Sequence, residues 1–431
     1  MKSYSCIDLK SFYASCECIK RGKDPFTHPL VVADKTRGEN AICLAVTPAL
    51  RKLGIPGRVR LSQIPKNIQY EIAPPHMKFY LQKSCDVYAI YLKYVSANDI
   101  HIYSIDECFL DYTNYLKYYN KDPIELTKNI MDDINNTLSL TAAAGVGTNL
   151  FLAKIALDIL AKHEPNNIAY LDEIIFNEKM IHHTPITDFW KIGPGIAKRL
   201  EKYGIKDMSD IQKTDPKILF NELGKNAMCL IDHSYGIEPC TMKDIKDYTS
   251  YSKSLSTSQI LFRDYNKDEA FVVLKEMIDL LCLDLVYNNL YCSNIGLYIK
   301  YSKDEYPVSK KSENINENTN SYSKLIKYFK KLYDEIVVEK YPIRQVAISL
   351  SQLKPENKIQ FDIFSFDKNN IKEKKAQLAA MKIKNKFGKN SILKANSLQK
   401  EATAMIRNRL VGGHESGETE KYDKKINKEN L

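Results

Sequence analysis

A chain of 431 residues with 44% hydrophobic content is long enough for roughly two to four domains with cores of their own, and too apolar to be a disordered polymer. It has no run approaching about eighteen apolar residues and no cationic lead followed by an apolar stretch, so secretion and membrane spanning are not expected. The net charge of +10 is concentrated at one end: residues 366–431 carry 16 Lys and Arg against 8 Asp and Glu, which reads as a polyanion contact or a solvated arm.

The ten cysteines are scattered, mostly inside apolar segments, and form neither a disulfide nor a zinc pattern. Cys16 and Cys18 are a close pair, and they read as small buried hydrophobes of a reducing cytosol.

The first strand, Ser5 to Leu9, carries a carboxylate at Asp8, and Lys10 to Glu17 reads as a turn entering a helix. Phe12 and Tyr13 follow that carboxylate closely. Ala41 to Val46 reads as a strand running into a short helix, with Thr47 as N-cap, Pro48 at the first helical position and Gly54 as the stop. Arg51 then lies near a helix N-terminus, where backbone N–H groups and a guanidinium can converge on a phosphate; a solvated arginine on an exposed helix is the plainer explanation. Lys78 to Asn98 is a helix whose Tyr88, Tyr91 and Tyr94 recur at helical spacing, as core residues do.

Ile102 to Asp111 is the stretch around which the chain is organised. Apolar residues alternate into Asp106 and Glu107 and out again, as two strands meeting at a tight bend or as one strand with an acidic interruption. An unpaired carboxylate amid strand residues costs several kcal/mol, so these acids require a cation. With Asp8 they make an oxygen-rich set suited to a hard divalent ion and a phosphate-bearing substrate, whereas turn residues at a strand end are the structural alternative.

Pro123 to Leu138 is an amphipathic helix. Thr141 to Asn149 is a strand of small residues, and Leu150 to Lys162 a further helix, together suggesting an α+β sheet domain with helices on one face. Lys154 and Asp158, four apart, are placed to pair with each other, and Lys162 at the helix end is the better candidate to reach a phosphate.

Phe189 to Ile205 reads as helix, glycine hairpin and helix. Gly193 and Gly195 permit close backbone approach, helix-start N–H groups can bind a DNA phosphate without reading sequence, and Lys198, Arg199 and Lys202 add charge. Lys243 to Tyr251 is a polar linker. Lys253 and the hydroxyl run Ser254 to Ser258 are a phosphate-backbone contact or a solvated strand edge. Beyond lie helix Lys267 to Asn288, strand Ser293 to Tyr301, a polar loop Ser309 to Ser321, helix Tyr322 to Glu339 and strand Ile343 to Leu350, a small α/β unit of its own. Gln360 to Phe364 is a short apolar plug with polar flanks, suited to a partner's groove, and a basic helical tail follows.

Ile7-Asp8 with Phe12-Tyr13-Ala14, then Arg51-Lys52-Leu53-Gly54, Ser104-Ile105-Asp106-Glu107, Ala153-Lys154-Ile155-Ala156 and the glycine hairpin occur in the order seen in the Y-family translesion DNA polymerases. The resemblance spans about residues 4–355. Asn390 to Lys394 and Arg407 to His414 are similar to the tail of the UmuC/UvrX-type UV-damage repair branch.

The resemblance implies an α+β multidomain right-hand polymerase: palm at 1–22 and 76–165, fingers at 23–75, helix-hairpin-helix thumb at 166–242, linker 243–252, a small α/β little finger at 253–354, and a basic tail 355–431. It implies Asp8, Asp106 and Glu107 as catalytic metal ligands with the Leu9 carbonyl, two Mg2+ ions and dNTP substrates. Phe12 and Tyr13 would lie at the nucleotide sugar, with Tyr13 the sugar gate; Arg51 and Lys162 would hold the triphosphate; Gly193, Gly195, Lys198 and Lys253 would contact DNA. The peptide Gln360, Phe361, Ile363, Phe364 would bind a sliding clamp, with Phe361 in place of the usual leucine. Primer-template DNA and accessory mutagenesis proteins are the other implied partners, in the cytoplasm.

This sequence departs from the family at Pro48, where many members have a phosphate-contacting tyrosine, at Lys10, and in one extra residue between Lys154 and Lys162. A nucleotidyl cyclase could use a similar acidic palm but would leave the hairpin and plug without purpose; a non-catalytic DNA and clamp scaffold would not need the acids.

Overall fold

The computed structural model describes residues 2–249, 254–358 and 368–417. They form two compact units, one of Met1–Tyr248 joined by the segment from His414, the other of Thr249–Gly413. The expected contacts Lys253, Gln360, Phe361, Ile363 and Phe364 lie outside the described residues.

In the first unit, strand β1 (Tyr4–Leu9) enters helix α1 (Phe12–Lys20). Strands β2 (Leu30–Val32), β3 (Ala45–Val46) and β4 (Glu71–Ala73) form a small sheet in the order β3-β2-β4, with helix α2 (Pro48–Lys52) between β3 and β4 in sequence. The strand expected over Ala41 to Val46 is reduced to two residues. Its amides are spent elsewhere: Ala41 donates to Gly38, Cys43 to Val59 and Leu44 to Val32, so no single neighbour runs alongside. Thr47 precedes α2 without capping it; its hydroxyl accepts the Leu30 amide at 3.0 Å and ties the helix start to β2.

Helix α3 (Met77–Tyr91) ends seven residues earlier than its tyrosine periodicity suggests, because Ser96 caps a separate short turn at Ala97–Asp99. Strands β5 (Ile100–Ile102) and β6 (Glu107–Asp111) pair antiparallel, which decides for two strands and a bend. After helices α4 (Leu116–Tyr119) and α5 (Pro123–Leu138) come β7 (Ala142–Gly147), α6 (Leu150–Ile155) continuing as a π-helix over Ala156–Ala161, and β8 (Ile168–Leu171). The large sheet has the order β5-β6-β1-β7-β8, antiparallel except between β7 and β8.

The helices do not keep to one face of it. Thr127 of α5 shares the Tyr112 hydroxyl with Ser5, whereas α6 lies against Gly145, which stands opposite Cys6. Odd and even residues of β1 point to opposite faces. Both faces are therefore covered, and every residue of β7 is buried. The α6 face continues through α7 (Glu173–Lys179), α8 (Pro194–Glu201), α9 (Met208–Lys213), α10 (Pro216–Leu223), α11 (Asn226–Ser234) and α12 (Met242–Asp247) as one core from Cys6 and Phe151 to Leu230 and Met242. The helix expected before the glycine hairpin is only a single 3-10 turn at Ile186–Asp188.

The second unit holds strands β9 (Ser254–Tyr265), β10 (Leu290–Tyr301), β11 (Ser309–Thr319), β12 (Ile343–Ser351) and β13 (Lys354–Pro355), with helices α13 (Lys267–Tyr287) and α14 (Tyr322–Ile336). The four long strands run β11-β10-β12-β9 over a core of Val273, Met277, Ile295, Phe329 and Val346. The polar segment Ser309 to Ser321, expected as a loop, is an edge strand. Side chains compensate for its low apolar content: Asn294 Nδ2 donates to Asn314 at 2.8 Å and Ser312 to Asn294 at 2.9 Å. Helices α15 (Lys368–Phe387) and α16 (Ala404–Arg407) belong to this unit too. From residue 368 through 413 the basic tail is thus packed rather than a solvated arm, anchored where buried Glu276 accepts the Thr403 and Ala404 amides at 2.8 and 3.0 Å.

Candidate active site

Register brings the acids together. Asp8 and Glu107 are direct antiparallel partners, so their side chains leave the same face a few ångströms apart. Residues 103–106 make the bend: the Tyr103 and Ser104 amides both donate to the Glu107 carbonyl, and the Leu9 amide donates to the Asp106 carbonyl at 2.9 Å. Ser104 Oγ donates to Asp106 Oδ1 at 2.6 Å, which fixes that carboxylate. On the other side Asp8 faces Ala143, whose methyl leaves room for it.

The site is negatively charged beyond what its lysines balance. Burial, and then the neighbouring Asp106 and Glu107, push the Asp8 carboxyl up to about 7 against the pull of Lys162 and Lys154. Lys154 is the residue that sequence reasoning underestimated. It pairs with Asp158 at 3.0 Å as its spacing suggests, but its ammonium also meets Glu107 Oε1 at 2.6 Å, where the Cys6 thiol donates at 3.0 Å. Burial lowers its proton affinity, and the surrounding negative charge more than reverses that, so it stays an ammonium. No signal in the local sequence distinguishes a lysine that pairs only along its helix from one that also reaches across to a strand.

Between Lys154 and Lys162 the helix winds as a π-helix over 156–161, and this wider winding sets where Lys162 stands. Lys162 lies 3.9 Å from Asp158 and close enough to act on Asp8, with half its side chain in water. Gly145 makes the approach possible, since a Cβ there would land on the Ala153 carbonyl and the Leu157 amide. Lys10, next to Asp8 in sequence, donates its ammonium to Asn167.

The two aromatics separate. Phe12 is 2% exposed and belongs to the core; Tyr13 is half-buried and stacks on Tyr80 with ring centroids 4.6 Å apart. Tyr80 is fixed in turn by donating its hydroxyl at 2.7 Å to Glu17, a fully buried carboxylate that also pairs with His76 and Arg21. The Tyr13 phenol is raised by burial and then by Asp106, while Arg58 pulls it down, so both lie within electrostatic reach of its hydroxyl. Arg51 is exposed, with its guanidinium over Gly57. Arg58 is the cation of that region that sequence reading passed over.

Gly193 caps α8, Pro194 begins it, and a Cβ at Gly193 or Gly195 would meet only open space. Packing within the described chain therefore does not require glycine at either position. Lys198 is exposed on the same helix, whereas Arg199 is spent on the Glu222 carbonyl at 3.0 Å. Among the described residues no helix is long and apolar enough to cross a membrane.

The donor set fits a divalent ion: carboxylate oxygens from β1 and the 103–106 bend, one of them carrying a proton affinity that buried like charge has raised. The impB/mucB/samB family matches residues 7–158, and the impB/mucB/samB family C-terminal domain matches residues 252–363. The chain is 30% identical over 419 residues to the putative UV-damage repair protein UvrX of Bacillus subtilis (strain 168), covering 96% of this chain and 98% of that one. It is 26% identical over 406 residues to DNA polymerase IV of Clostridium acetobutylicum, covering 92% and 98%. Among solved structures, a Y-family DNA polymerase chimera of Dbh and Dpo4 superposes with a TM-score of 0.62 at 21% identity, covering 82% of this chain and 99% of that one. Together with the acidic site on its mixed sheet, these matches establish that the chain belongs to the impB/mucB/samB family, as a divalent-metal-dependent, primer-template-binding translesion DNA polymerase of the Y family and of the UmuC/UvrX type.

Proposed function

We propose that Asp8, Asp106 and Glu107, with the Leu9 carbonyl, hold two magnesium ions against an incoming dNTP, and that the chain extends primers across UV-damaged template. The observation that carries this reading is Asp8: burial and two acidic neighbours hold its carboxyl near 7, and excess buried negative charge is what a hard divalent cation relieves. Held by these residues, magnesium would supply the positive charge that favours ionisation of the primer 3′-hydroxyl and offsets the negative charge of the departing pyrophosphate. Lys154 orients Glu107, and Ser104 orients Asp106. Lys162 and Arg51, with Arg58, take the triphosphate. Tyr13, braced by Tyr80, presents a ring that a 2′-hydroxyl would strike, which selects deoxynucleotides.

Domain roles follow the boundaries set out above: palm, fingers and thumb within the first unit, little finger within the second. The α8 N-terminus with Gly193, Gly195 and Lys198 holds a DNA phosphate, and Lys253 with the exposed Ser254, Ser256 and Ser258 of β9 holds another. Gln360, Phe361, Ile363 and Phe364 dock on a sliding clamp, and accessory mutagenesis proteins join the assembly. All ten cysteines are free thiols, which supports a reducing cytoplasm.

Magnesium-dependent primer extension on undamaged and UV-irradiated templates, with and without clamp, tests this. Asp106→Ala should lose at least ~10³-fold in rate while keeping the wild-type circular dichroism spectrum. Extension at the normal rate by the folded variant would end the proposal.

A further inference from the structure

Away from the carboxylate site, three side chains of the first unit meet at the end of α11. Cys229 and His233 stand four residues apart on that helix, and Glu238 returns to them after the turn at Gly236. His233 Nε2 is 3.5 Å from Cys229 Sγ and 3.0 Å from Glu238 Oε2, and the three atoms all lie within 4.8 Å of one another. Around tetrahedral zinc, with Zn–S of about 2.3 Å and Zn–N or Zn–O of about 2.0–2.2 Å, ligand atoms stand about 3.3–3.6 Å apart. The cluster needs only small shifts to close on such an ion.

Its surroundings fix it. The His233 ring lies flat against Phe151, centroids 4.0 Å apart, and parallel to Trp190 at 6.2 Å. Lys191, held in the left-handed region at φ 69°, places its ammonium 3.6 Å from Cys229 Sγ and 3.7 Å from the Glu238 carboxylate. A cation already stands where the ligand charges call for one, and with 48% of its side chain in water it is free to swing away. A cavity of about 260 Å³ lined by Trp190, Asn226 and Leu230 opens beside Cys229 and His233, with room for a water as fourth ligand.

We propose that Cys229, His233 and Glu238 form a zinc-binding site whose resident counter-cation, the Lys191 ammonium, is displaced when the metal enters. One thiolate, one imidazole and one carboxylate form a borderline-soft set that favours zinc over magnesium, which the all-oxygen site favours. Zinc takes a thiolate and a neutral imidazole, so the protons those groups carry leave to solvent on binding. The hydrogen bond to His233, with help from Lys191, already holds the thiol below its usual range although burial opposes this. Trp190, beside His233, donates its indole N–H at 2.9 Å to the hydroxyl of Tyr103 in the catalytic bend, so the ion braces the segment between the glycine hairpin and the carboxylates.

Titrating the full-length protein with cobalt(II) reads the site directly. One equivalent should produce a thiolate-to-cobalt charge-transfer band that zinc abolishes and that Asp106→Ala leaves intact. Cys229→Ser should remove the band, Glu238→Gln should weaken zinc binding at least ~10-fold, and Lys191→Gln should tighten it. Absence of the band, its survival in Cys229→Ser, or weaker binding in Lys191→Gln would each overturn the proposal. Should Cys229→Ser fail to fold, protection of the wild-type Cys229 peptide from alkylation by zinc decides the matter: protection supports the site, and unchanged alkylation refutes it.

Discussion

Two buried carboxylates of the first unit titrate in opposite directions. The Asp8 carboxyl is raised from 3.8 to about 7, so the folded metal-free protein holds that proton more tightly than the unfolded chain, and stability falls as pH rises across this window. The cost at pH 8 is on the order of 4 kcal/mol. Asp8→Asn should therefore melt higher than the wild type above pH 7 without metal, with the difference shrinking toward pH 4, while losing both magnesium-induced stabilisation and activity. Equal melting temperatures at pH 8 would contradict this.

Glu17 behaves the other way. Burial raises it, but hydrogen bonds from His76, Arg21 and Tyr80 outweigh burial and hold it below the ordinary 4.5, so its contribution is present above that value and fades as pH falls below it. Glu17→Gln should cost about 3 kcal/mol near neutrality and flatten the acid limb of a pH–stability curve recorded by urea titration. The motif Ser104-Ile105-Asp106-Glu107 made the acids legible in sequence. Lys154, Tyr80 and Arg58 were not legible, because a side chain's partner across space leaves no trace in its own spacing.

At the scale of elements, the approach of α6 and its π-helical continuation to β7 sets where Lys154 and Lys162 stand. Gly145→Ala would push a methyl into the Ala153 carbonyl and the Leu157 amide, both backbone, so it should destabilise by about 3 kcal/mol or more and weaken dNTP binding more than DNA binding. Differential scanning calorimetry and nucleotide KM measure the two effects. Helix α5 has the bounds its apolar periodicity predicts, whereas α14, expected to Glu339, ends at Ile336. Elements whose hydrogen bonds go to distant segments depart further: Ala41 to Val46 divides its amides among three partners, and Ser309 to Thr319 becomes a strand because β10 offers an edge, not because its residues favour one.

For the molecule as a whole, the tail from 368 to 413 belongs to the second unit, and Glu276 is its anchor. Glu276→Ala removes charge-assisted acceptors from two amides and should cost about 2 kcal/mol, with new protease cleavage between residues 388 and 403 as the readout. Digestion patterns identical to the wild type would show that the helix α15 contacts hold the tail alone.

By itself the sequence determined the chemistry: alternation of apolar residues with Asp8, Asp106 and Glu107 dictates strands that carry acid, and buried acid requires a cation. Only the tertiary structure decided which cations and rings stand beside those acids, that the helix after Lys154 winds as a π-helix, and that Cys229, His233 and Glu238 converge. Periodicity is a local property of a chain, whereas register, helix docking and side-chain partners depend on segments that meet only when it folds.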